Sequence, residues 1–235
     1  MPAGNAIRTA LIVGASRGLG LALVGEYLGL GWRVIATIRD ATSPDALRAL
    51  PIGNGGSLDI EHLDITDPVQ IAALRGRLDA RPLDLLFVNA GVSNGPAETV
   101  GGATTDDFVR LMVTNALSPL RVIEACIDRV APTGSVAVMS SGLGSVANNI
   151  GGGWEVYRAS KAALNTLMRS LAARHAAGAR TFLAIAPGWV RTDMGGPNAL
   201  LDVRTSIAGV VAAIERRSGT GGMVYVDYQN QVVPW

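Results

Sequence analysis

Cysteine and histidine are scarce in this sequence of 235 residues. The single cysteine, Cys126, cannot form an internal disulfide, which is typical of a protein of the reducing cytoplasm. The two histidines, His62 and His175, have no cluster of cysteines or carboxylates at the spacing of metal ligands. We therefore predict no metal site, two structural histidines, and a cysteine that serves as a small core residue.

Charge is also low, and neither sign dominates. Charged residues make up 17% of the chain, against about a quarter in average proteins, and 20 basic residues balance 19 acidic ones. This composition lacks the basic patch that binds nucleic acid or an anionic membrane. Residues 1–8 contain no secretory signal, and the uncharged residues 130–154 are too rich in glycine, serine and asparagine to span a bilayer. We expect a cytoplasmic protein with no nucleic-acid or membrane partner.

Glycine, by contrast, is abundant, with 29 residues, and 49% of the chain is hydrophobic. Such a chain needs a large core, and its length suits one domain over residues 1–235. Short apolar stretches alternate with helical patterns, which predicts an α/β protein with a single doubly wound Rossmann fold, a seven-stranded parallel sheet flanked by helices. The predicted strands are residues 9–14, 33–38, 58–63, 85–89, 135–140, 181–186 and 223–228. The predicted helices are residues 19–30, 44–50, 68–78, 104–130 and 155–177, with another near Thr205.

A glycine-rich turn joins the first predicted strand to the first predicted helix. Its spacing is GxxxGxG, and its backbone N–H groups and helix N-terminus would face a pair of phosphates. Glycines allow the pyrophosphate and the sheet to approach without a Cβ between them. The alternative is a tight turn without a ligand. The predicted cofactor contacts in this turn are Gly14, Ser16, Arg17, Gly18, Leu19 and Gly20.

The end of the second strand indicates which dinucleotide binds. Folds that select NAD place a carboxylate about 20 residues after the glycines, where it binds the ribose hydroxyls. Here Ile38 occupies that place, Arg39 follows it, and Arg17 lies in the turn. Two guanidinium groups suit a 2′-phosphate, so we predict NADP(H) in preference to NAD(H). Both arginines could instead be solvated surface residues, and Asp40 would partly neutralise Arg39.

Tyr157 and Lys161 form the strongest candidate for catalytic chemistry. Their i, i+4 spacing places the phenol and the ammonium on one face of a predicted helix. A nearby cation favours the phenolate and lowers the pKa of a tyrosine from about 10, so that the group can exchange protons near neutral pH. Ser140 and Ser141 end a predicted strand, and Asn115 lies in the helix before it.

These motifs, in this order, resemble the short-chain dehydrogenase/reductase family over nearly the whole chain. Residues 154–165, 187–198 and 233–235 resemble its C-factor and sniffer-type carbonyl reductase subgroup. The family pattern SxxG fits Ser141 through Gly144 but does not fit Ser140. The motifs that carry the resemblance are Gly14-xxx-Gly18-x-Gly20, Asn89-Ala90-Gly91, Asn115, Ser141, Tyr157-xxx-Lys161 and Pro187-Gly188.

The resemblance implies a role for each of four side chains. Tyr157 would protonate the carbonyl oxygen, and Ser141 would hydrogen-bond that oxygen. Lys161 would lower the tyrosine pKa and hold the nicotinamide ribose, and Asn115 would keep a water in the proton relay.

The resemblance also implies further cofactor contacts. Asp64 and Ile65 would flank the adenine, residues 89–91 the adenosine, and Thr192 the carboxamide or phosphate. The remaining contacts would be Asn89, Ala90, Gly91, Tyr157, Lys161, Pro187, Gly188 and Val190. Three departures put loop shape in doubt: the longer spacing between Ser141 and Tyr157, Val88 in place of a second asparagine, and Ser118-Pro119 after Asn115.

Trp154, Trp189 and Met194 border this predicted site and are candidates for lining the substrate pocket. Packing is the alternative for both tryptophans. The segment after Thr192 is short, which favours an open pocket that accepts several small carbonyl or alcohol substrates.

We therefore predict an NADP(H)-dependent oxidoreductase that reduces an aldehyde or ketone to an alcohol. The alternative is a cofactor-binding signalling or regulatory protein of C-factor type on the same scaffold. An extended sugar-nucleotide epimerase would need a substrate domain that this length does not provide. The family further implies a homodimer or homotetramer that pairs through helices 104–130 and 155–177.

Overall fold

A parallel sheet of seven strands forms the centre of the computed structural model, in the order β3-β2-β1-β4-β5-β6-β7. The structure describes residues 7–39, 43–78, 82–95 and 99–235. The strands are β1 (Thr9–Val13), β2 (Arg33–Ile38), β3 (Ser57–His62), β4 (Leu83–Val88), β5 (Val130–Met139), β6 (Thr181–Ala186) and β7 (Gly222–Asp227). This order confirms the predicted fold class.

Helices connect the strands and cover both faces of the sheet. They are α1 (Gly18–Gly29), α2 (Asp45–Arg48), α3 (Pro68–Arg77), α4 (Thr105–Met112), α5 (Ser118–Cys126), α6 (Glu155–Arg174) and α7 (Val203–Arg217). None of these helices, within the described ranges, combines the length and apolar character needed to cross a membrane.

The inner strands β1, β2, β4 and β6 are almost continuous apolar runs because both of their faces are buried, whereas the edge strand β3 is partly exposed along its length. Along β1, Leu11 and Val13 pack into the core beneath α3, α5 and α6, whereas Ala10 and Ile12 pack into the core beneath α1 and α7. Cys126 lies in the first of these cores, as expected of a small buried residue.

The predicted single helix over residues 104–130 is wrong in the middle and at its end. A π-helical turn, Val113–Leu117, separates α4 from α5, and a short 3₁₀ turn leads into β5 at Val130. Pro119 explains the π turn, because it has no N–H to donate to the carbonyl of Asn115, the bond that an α-helix would form there. The predicted strand 135–140 begins earlier, since Val130 pairs with Leu83 before a register shift.

Candidate active site

The glycine-rich turn between β1 and α1 is shaped by close backbone contacts. Gly14 has a φ of +85°, and a Cβ there would lie 2.7 Å from the Cα of Ala90. A Cβ on Gly20 would lie 2.0 Å from the carbonyl oxygen of Gly14. Gly18, with a φ of +55°, begins α1 and would meet only the Cγ2 of Thr192, at 3.8 Å. The first two positions therefore require glycine for packing, whereas the space beside the third is more open.

Two polar side chains hold this turn against the sheet. The N–H of Gly14 donates to the hydroxyl of Thr37 at 3.1 Å, and the Nδ2 of Asn89 donates to the carbonyl of Gly14 at 2.8 Å. Asn89 was predicted to contact the adenosine, and the structure shows its amide shaping the turn. Thr37 was not predicted as a site residue, although a polar residue in an apolar strand was its signal. Ser16 and Leu19 are both partly exposed in the same turn.

The two arginines predicted to select NADP have different neighbours. Arg17 lies in the turn and forms an ion pair with Asp193 (Nη1–Oδ2, 2.7 Å). Both side chains are largely exposed, at 76% and 78%. Arg39 is exposed after β2, close enough to Asp64 to contribute to lowering the pKa of that carboxyl. Asp40, predicted to weaken Arg39, lies outside the described residues.

Asp64 and Ile65 follow β3 at the predicted adenine side. The carboxylate of Asp64 accepts hydrogen bonds from the N–H and the hydroxyl of Thr66, at 2.8 and 2.7 Å. These bonds are the largest cause of the lowered pKa of Asp64. The side chain of Ile65 packs into the core instead, which leaves little of it available to contact an adenine.

Tyr157 and Lys161 lie one turn apart on α6, as predicted, with Nζ 5.8 Å from the centre of the phenol ring. Lys161 is 3% exposed and donates to the carbonyl of Met139 at 2.9 Å. Burial lowers its pKa to about 8. Burial also raises the pKa of Tyr157 to about 12, against the opposing effect of its hydrogen bond to Ser141. The pKa of Tyr157 is therefore raised, not lowered as predicted from its spacing to Lys161, and burial is the largest cause.

The two serines after β5 have different surroundings. Ser140 is buried, and its hydroxyl donates to the Oδ1 of Asn165 at 2.6 Å. Ser141 is partly exposed, and its Oγ accepts the N–H of Leu143 at 3.2 Å. This bond occupies a lone pair of Oγ and leaves the hydroxyl hydrogen free to donate towards Tyr157 or a substrate. The geometry favours Ser141 over Ser140, in agreement with the motif.

Asn115 lies in the π-helical turn and is fully buried. Its Nδ2 donates to the carbonyl of Val92 at 2.8 Å and to the hydroxyl of Ser160 at 3.0 Å, and its Oδ1 accepts the N–H of Val92 at 2.8 Å. Gly91 separates it from Lys161, since a Cβ there would lie 3.2 Å from Oδ1 and 3.4 Å from Nζ. The side chain of Asn115 therefore positions the loop after β4 beside the lysine.

The loop between β6 and α7 lies against the glycine-rich turn, which it meets through Asp193 and Thr192. Gly188 has a φ of +83°, and a Cβ there would lie 2.5 Å from Leu201 Cδ1. Val190 is buried and forms a bridge with the same leucine, whereas the hydroxyl of Thr192 accepts the N–H of Gly195 at 3.1 Å. The carbonyl of Pro187 accepts the hydroxyl of Ser206 at 2.7 Å.

The three candidate pocket residues lie in two segments, one before α6 and one after β6. Trp154, the residue before α6, has a left-handed backbone (φ 54°, ψ 34°), and its ring meets that of Tyr157 edge to face, with centroids 6.0 Å apart. Trp189 and Met194 are exposed in the β6–α7 loop, and the Nε1 of Trp189 donates to the carbonyl of Gly195 at 2.8 Å.

The pattern of these residues matches a known family. A model described as short chain dehydrogenase matches residues 8–199, which include every predicted site residue. The chain belongs to the short chain dehydrogenase family. This confirms the predicted resemblance, and it makes the chain an oxidoreductase by class.

Individual short chain dehydrogenases agree with the predicted subgroup. The C-signal of Myxococcus xanthus is 39% identical over 156 residues, which cover 66% of this chain and 93% of that protein. A crystal structure of a putative short-chain dehydrogenase/reductase from Burkholderia multivorans with bound NADP is 48% identical, with a TM-score of 0.91 over 97% of this chain and 100% of that one. The carbonyl reductase Sniffer of D. melanogaster is 29% identical, with a TM-score of 0.86 and the same coverage.

Proposed function

We propose that this short chain dehydrogenase reduces an aldehyde or ketone to an alcohol with NADPH, reversibly with NADP⁺. The observation that carries the proposal is the meeting of Ser141, Tyr157 and Lys161 at the carboxyl ends of the strands, where the glycine-rich turn also lies. In open parallel sheets of this kind, ligands bind at that edge.

The described residues fit a bound dinucleotide phosphate. The turn presents backbone N–H groups at the N-terminus of α1, and Gly18 leaves room for a close approach. Arg17 and Arg39 supply two cations for a 2′-phosphate, and the similar Burkholderia protein binds NADP. When bound, NADPH would supply the hydride that adds to the carbonyl carbon.

Tyr157 would supply the proton. With a pKa raised to about 12 by burial, the phenol stays protonated at neutral pH, the form that a general acid requires. As its proton passes to the carbonyl oxygen, the Tyr157–proton bond breaks and the alcohol O–H forms, so the substrate gains one hydride and one proton. The ammonium of Lys161 would stabilise the phenolate that remains. The hydroxyl of Ser141 would hold the carbonyl oxygen in place.

Asn115 would complete the proton relay through its main chain, because its side chain is engaged by Val92 and Ser160. Its carbonyl loses the usual α-helical donor at Pro119, so this oxygen could bind the water that the family resemblance implies.

The direct test follows NADPH absorbance during incubation with a panel of aldehydes, aromatic ketones and diketones. We expect turnover with several of them, since the segment after Thr192 is short and leaves Trp154, Trp189 and Met194 beside an open pocket. One strongly preferred carbonyl would contradict the open pocket but not the reaction.

Tyr157→Phe tests the chemistry. Loss of the acid should lower turnover by about a hundredfold or more while NADPH still binds, because the substitution removes only the phenolic hydroxyl. Unchanged turnover in this variant would overturn the assignment.

The likeness to C-signal favours a second candidate, a cofactor-binding signalling protein. Such a protein would bind NADPH with no carbonyl turnover across the panel, and Tyr157→Phe would leave its binding properties unchanged. The presence of the serine, tyrosine and lysine together favours the enzyme, because binding alone has no need of a proton donor.

We further propose that two or four copies of the chain associate through the outer faces of α4 and α6. These helices pack side by side, and exposed apolar side chains lie on them at Phe108, Val109 and Leu167.

A further inference from the structure

We infer that Tyr225, on the edge strand β7, is a positioning residue that fixes Ser141 for proton transfer. The inference rests on the proposed function and adds a residue that lies outside the recognised motifs. Its basis is a hydrogen bond that the phenol of Tyr225 donates to the main-chain carbonyl of Ser141.

The register of the sheet explains how a side chain on the edge strand reaches this carbonyl. Tyr225 pairs with Ala184 of β6, and Ala184 pairs with Val138 of β5. All three side chains lie on the face beneath α6. Because alanine is small, the tyrosine ring has room to cross β6 and to reach the residues that follow β5.

The Ser141 carbonyl oxygen, which accepts the Tyr225 phenol, helps to orient the Ser141 side chain. The same oxygen accepts the N–H of Gly144 at 2.8 Å, and Oγ accepts the N–H of Leu143 at 3.2 Å. The two bonds to the carbonyl fix the peptide plane after Ser141, and the bond to Oγ fixes its rotamer. The hydroxyl hydrogen is then left to point at Tyr157.

Contacts with neighbouring side chains hold the ring of Tyr225 in place. Its ring packs against Trp235 with centroids 5.4 Å apart, and the guanidinium of Arg169 lies 5.1 Å from the centre of that indole. The phenol also lies within hydrogen-bonding reach of Ser140 and Asn165, and burial raises its pKa to about 12, so it remains a donor at neutral pH.

The residues after β7 support the same loop. The hydroxyl of Ser145 donates to the carbonyl of Pro234 at 2.6 Å, and the N–H of Ala147 donates to the carbonyl of Trp235 at 3.0 Å. The N–H of Val233 in turn donates to the carbonyl of Tyr225 at 2.9 Å. Together, β7 and residues 233–235 thus hold the loop at residues 141–147 through hydrogen bonds.

Tyr225→Phe tests the inference, with Tyr27→Phe as a matched control. Tyr27 is also buried and also packs against a tryptophan, Trp32, at 4.7 Å between ring centres. Its hydroxyl has no hydrogen-bond partner among the described residues. Both variants lose one buried hydroxyl, but only the first removes a bond to Ser141.

We expect kcat to fall about tenfold in Tyr225→Phe, with the Kd for NADPH unchanged within about twofold, and no change of either in Tyr27→Phe. The pH dependence should separate positioning from general destabilisation. In Tyr225→Phe, a weaker Ser141–Tyr157 hydrogen bond raises the Tyr157 pKa, whereas loss of the Tyr225 phenol removes a charge effect that also raises it, so the pH profile of alcohol oxidation should shift in Tyr225→Phe only. Equal kcat and equal pH profiles in both variants would overturn the inference, as would a parallel loss of NADPH affinity.

Hydrogen exchange gives a measurement that does not depend on turnover. Amides of residues 142–149 should exchange faster in Tyr225→Phe than in the wild type, and at the wild-type rate in Tyr27→Phe. If the wild type reduces no carbonyl, the proposed function fails, and this measurement still decides whether Tyr225 holds the loop. Unchanged exchange in Tyr225→Phe would contradict its positioning role.

Discussion

Lys161 is the only lysine in the chain, and the other 19 basic residues are arginines. This bias is informative because arginine remains charged at every physiological pH. A lysine, unlike an arginine, can exchange a proton near neutrality, because its pKa falls when it is desolvated. The sequence therefore singles out this position by composition as well as by motif.

The single lysine allows a direct measurement of its pKa. We expect the one side-chain signal of protein labelled with [13Cε]lysine to titrate in the cofactor-free form with a midpoint of about 8, against the ordinary value of 10.5. The folded protein then binds fewer protons than the unfolded chain between these values, so the Lys161 contribution to stability increases as pH rises from about 8 to 10.5. The urea-unfolded protein is the control, with a midpoint near 10.5. A folded-state midpoint above 10 would contradict the effect of burial.

The ion pair between Arg17 and Asp193 spans the cleft in which NADPH is proposed to bind. An exposed pair of this kind contributes about 0–1 kcal/mol, less than a guanidinium gains from a doubly charged phosphate. We therefore expect Asp193→Asn to release Arg17 and to tighten NADPH binding about threefold, with NADH binding unchanged, as measured by fluorescence titration.

Asp128→Asn is the matched control for this change, because Asp128 pairs with Arg75 (Nη2–Oδ2, 2.5 Å) away from the cleft. Asp128→Asn should leave the affinities for NADPH and NADH unchanged. Equal tightening of NADPH and NADH in Asp193→Asn would show that Arg17 does not bind the 2′-phosphate.

Residues that act through their chemical type were predictable, and residues that act through tertiary contacts were not. The spacing of Tyr157 and Lys161 places them together in any helix, so their proximity follows from the sequence. Thr37 and Tyr225 act on the backbone of Gly14 and Ser141, which are far from them in the chain. Only the pairing of the strands brings these residues together, so the threonine in an apolar strand is visible in the sequence but its partner is not.

At the level of elements, the π-helical turn Val113–Leu117 is the feature that connects secondary structure to the site. It places Asn115 where its amide meets Val92 and Ser160. Periodicity did not predict it, because apolar residues recur at helical spacing on both sides of the turn. Pro119 was visible in the sequence, in the middle of the predicted helix 104–130, where a proline indicates a kink or a break but not the π turn that the structure has.

Pro119→Ala should change this element and the activity together. Residue 119 would gain an N–H that can bond to the carbonyl of Asn115, which favours an ordinary α-helix and shifts Asn115 relative to Lys161. We expect kcat to fall about tenfold, with little change in Tm, since alanine is the better helix former but fills less of the core.

Pro68→Ala, at the first residue of α3, is the control for the loss of a proline, and it should leave kcat unchanged. Full turnover in Pro119→Ala would show that the carbonyl of Asn115 has no part in the proton relay.

At the scale of the whole molecule, the parallel sheet was predictable because its inner strands β1, β2, β4 and β6 are buried on both faces and are almost continuous apolar runs. Parallel strands bring all of their carboxyl ends to one edge, which places the turn after β1, the residues after β4 and β5, and the loop after β6 in one cleft. The bond from Tyr225, on β7 at the far edge of the sheet, to Ser141 was not predictable from the sequence.

The outer faces of α4 and α6 provide the last prediction. Phe108, Val109 and Leu167 expose apolar surface there, and burial against a second copy would remove it from water. We expect light scattering after size-exclusion chromatography to give two or four times the chain mass of 24.3 kDa. Leu167→Glu should yield the monomer, because at a symmetric interface the new carboxylate would be buried close to the same carboxylate of the second copy. Ile52→Glu, at an exposed apolar residue before β3, should leave the mass unchanged, and a monomeric wild type at micromolar concentration would contradict the proposed interface.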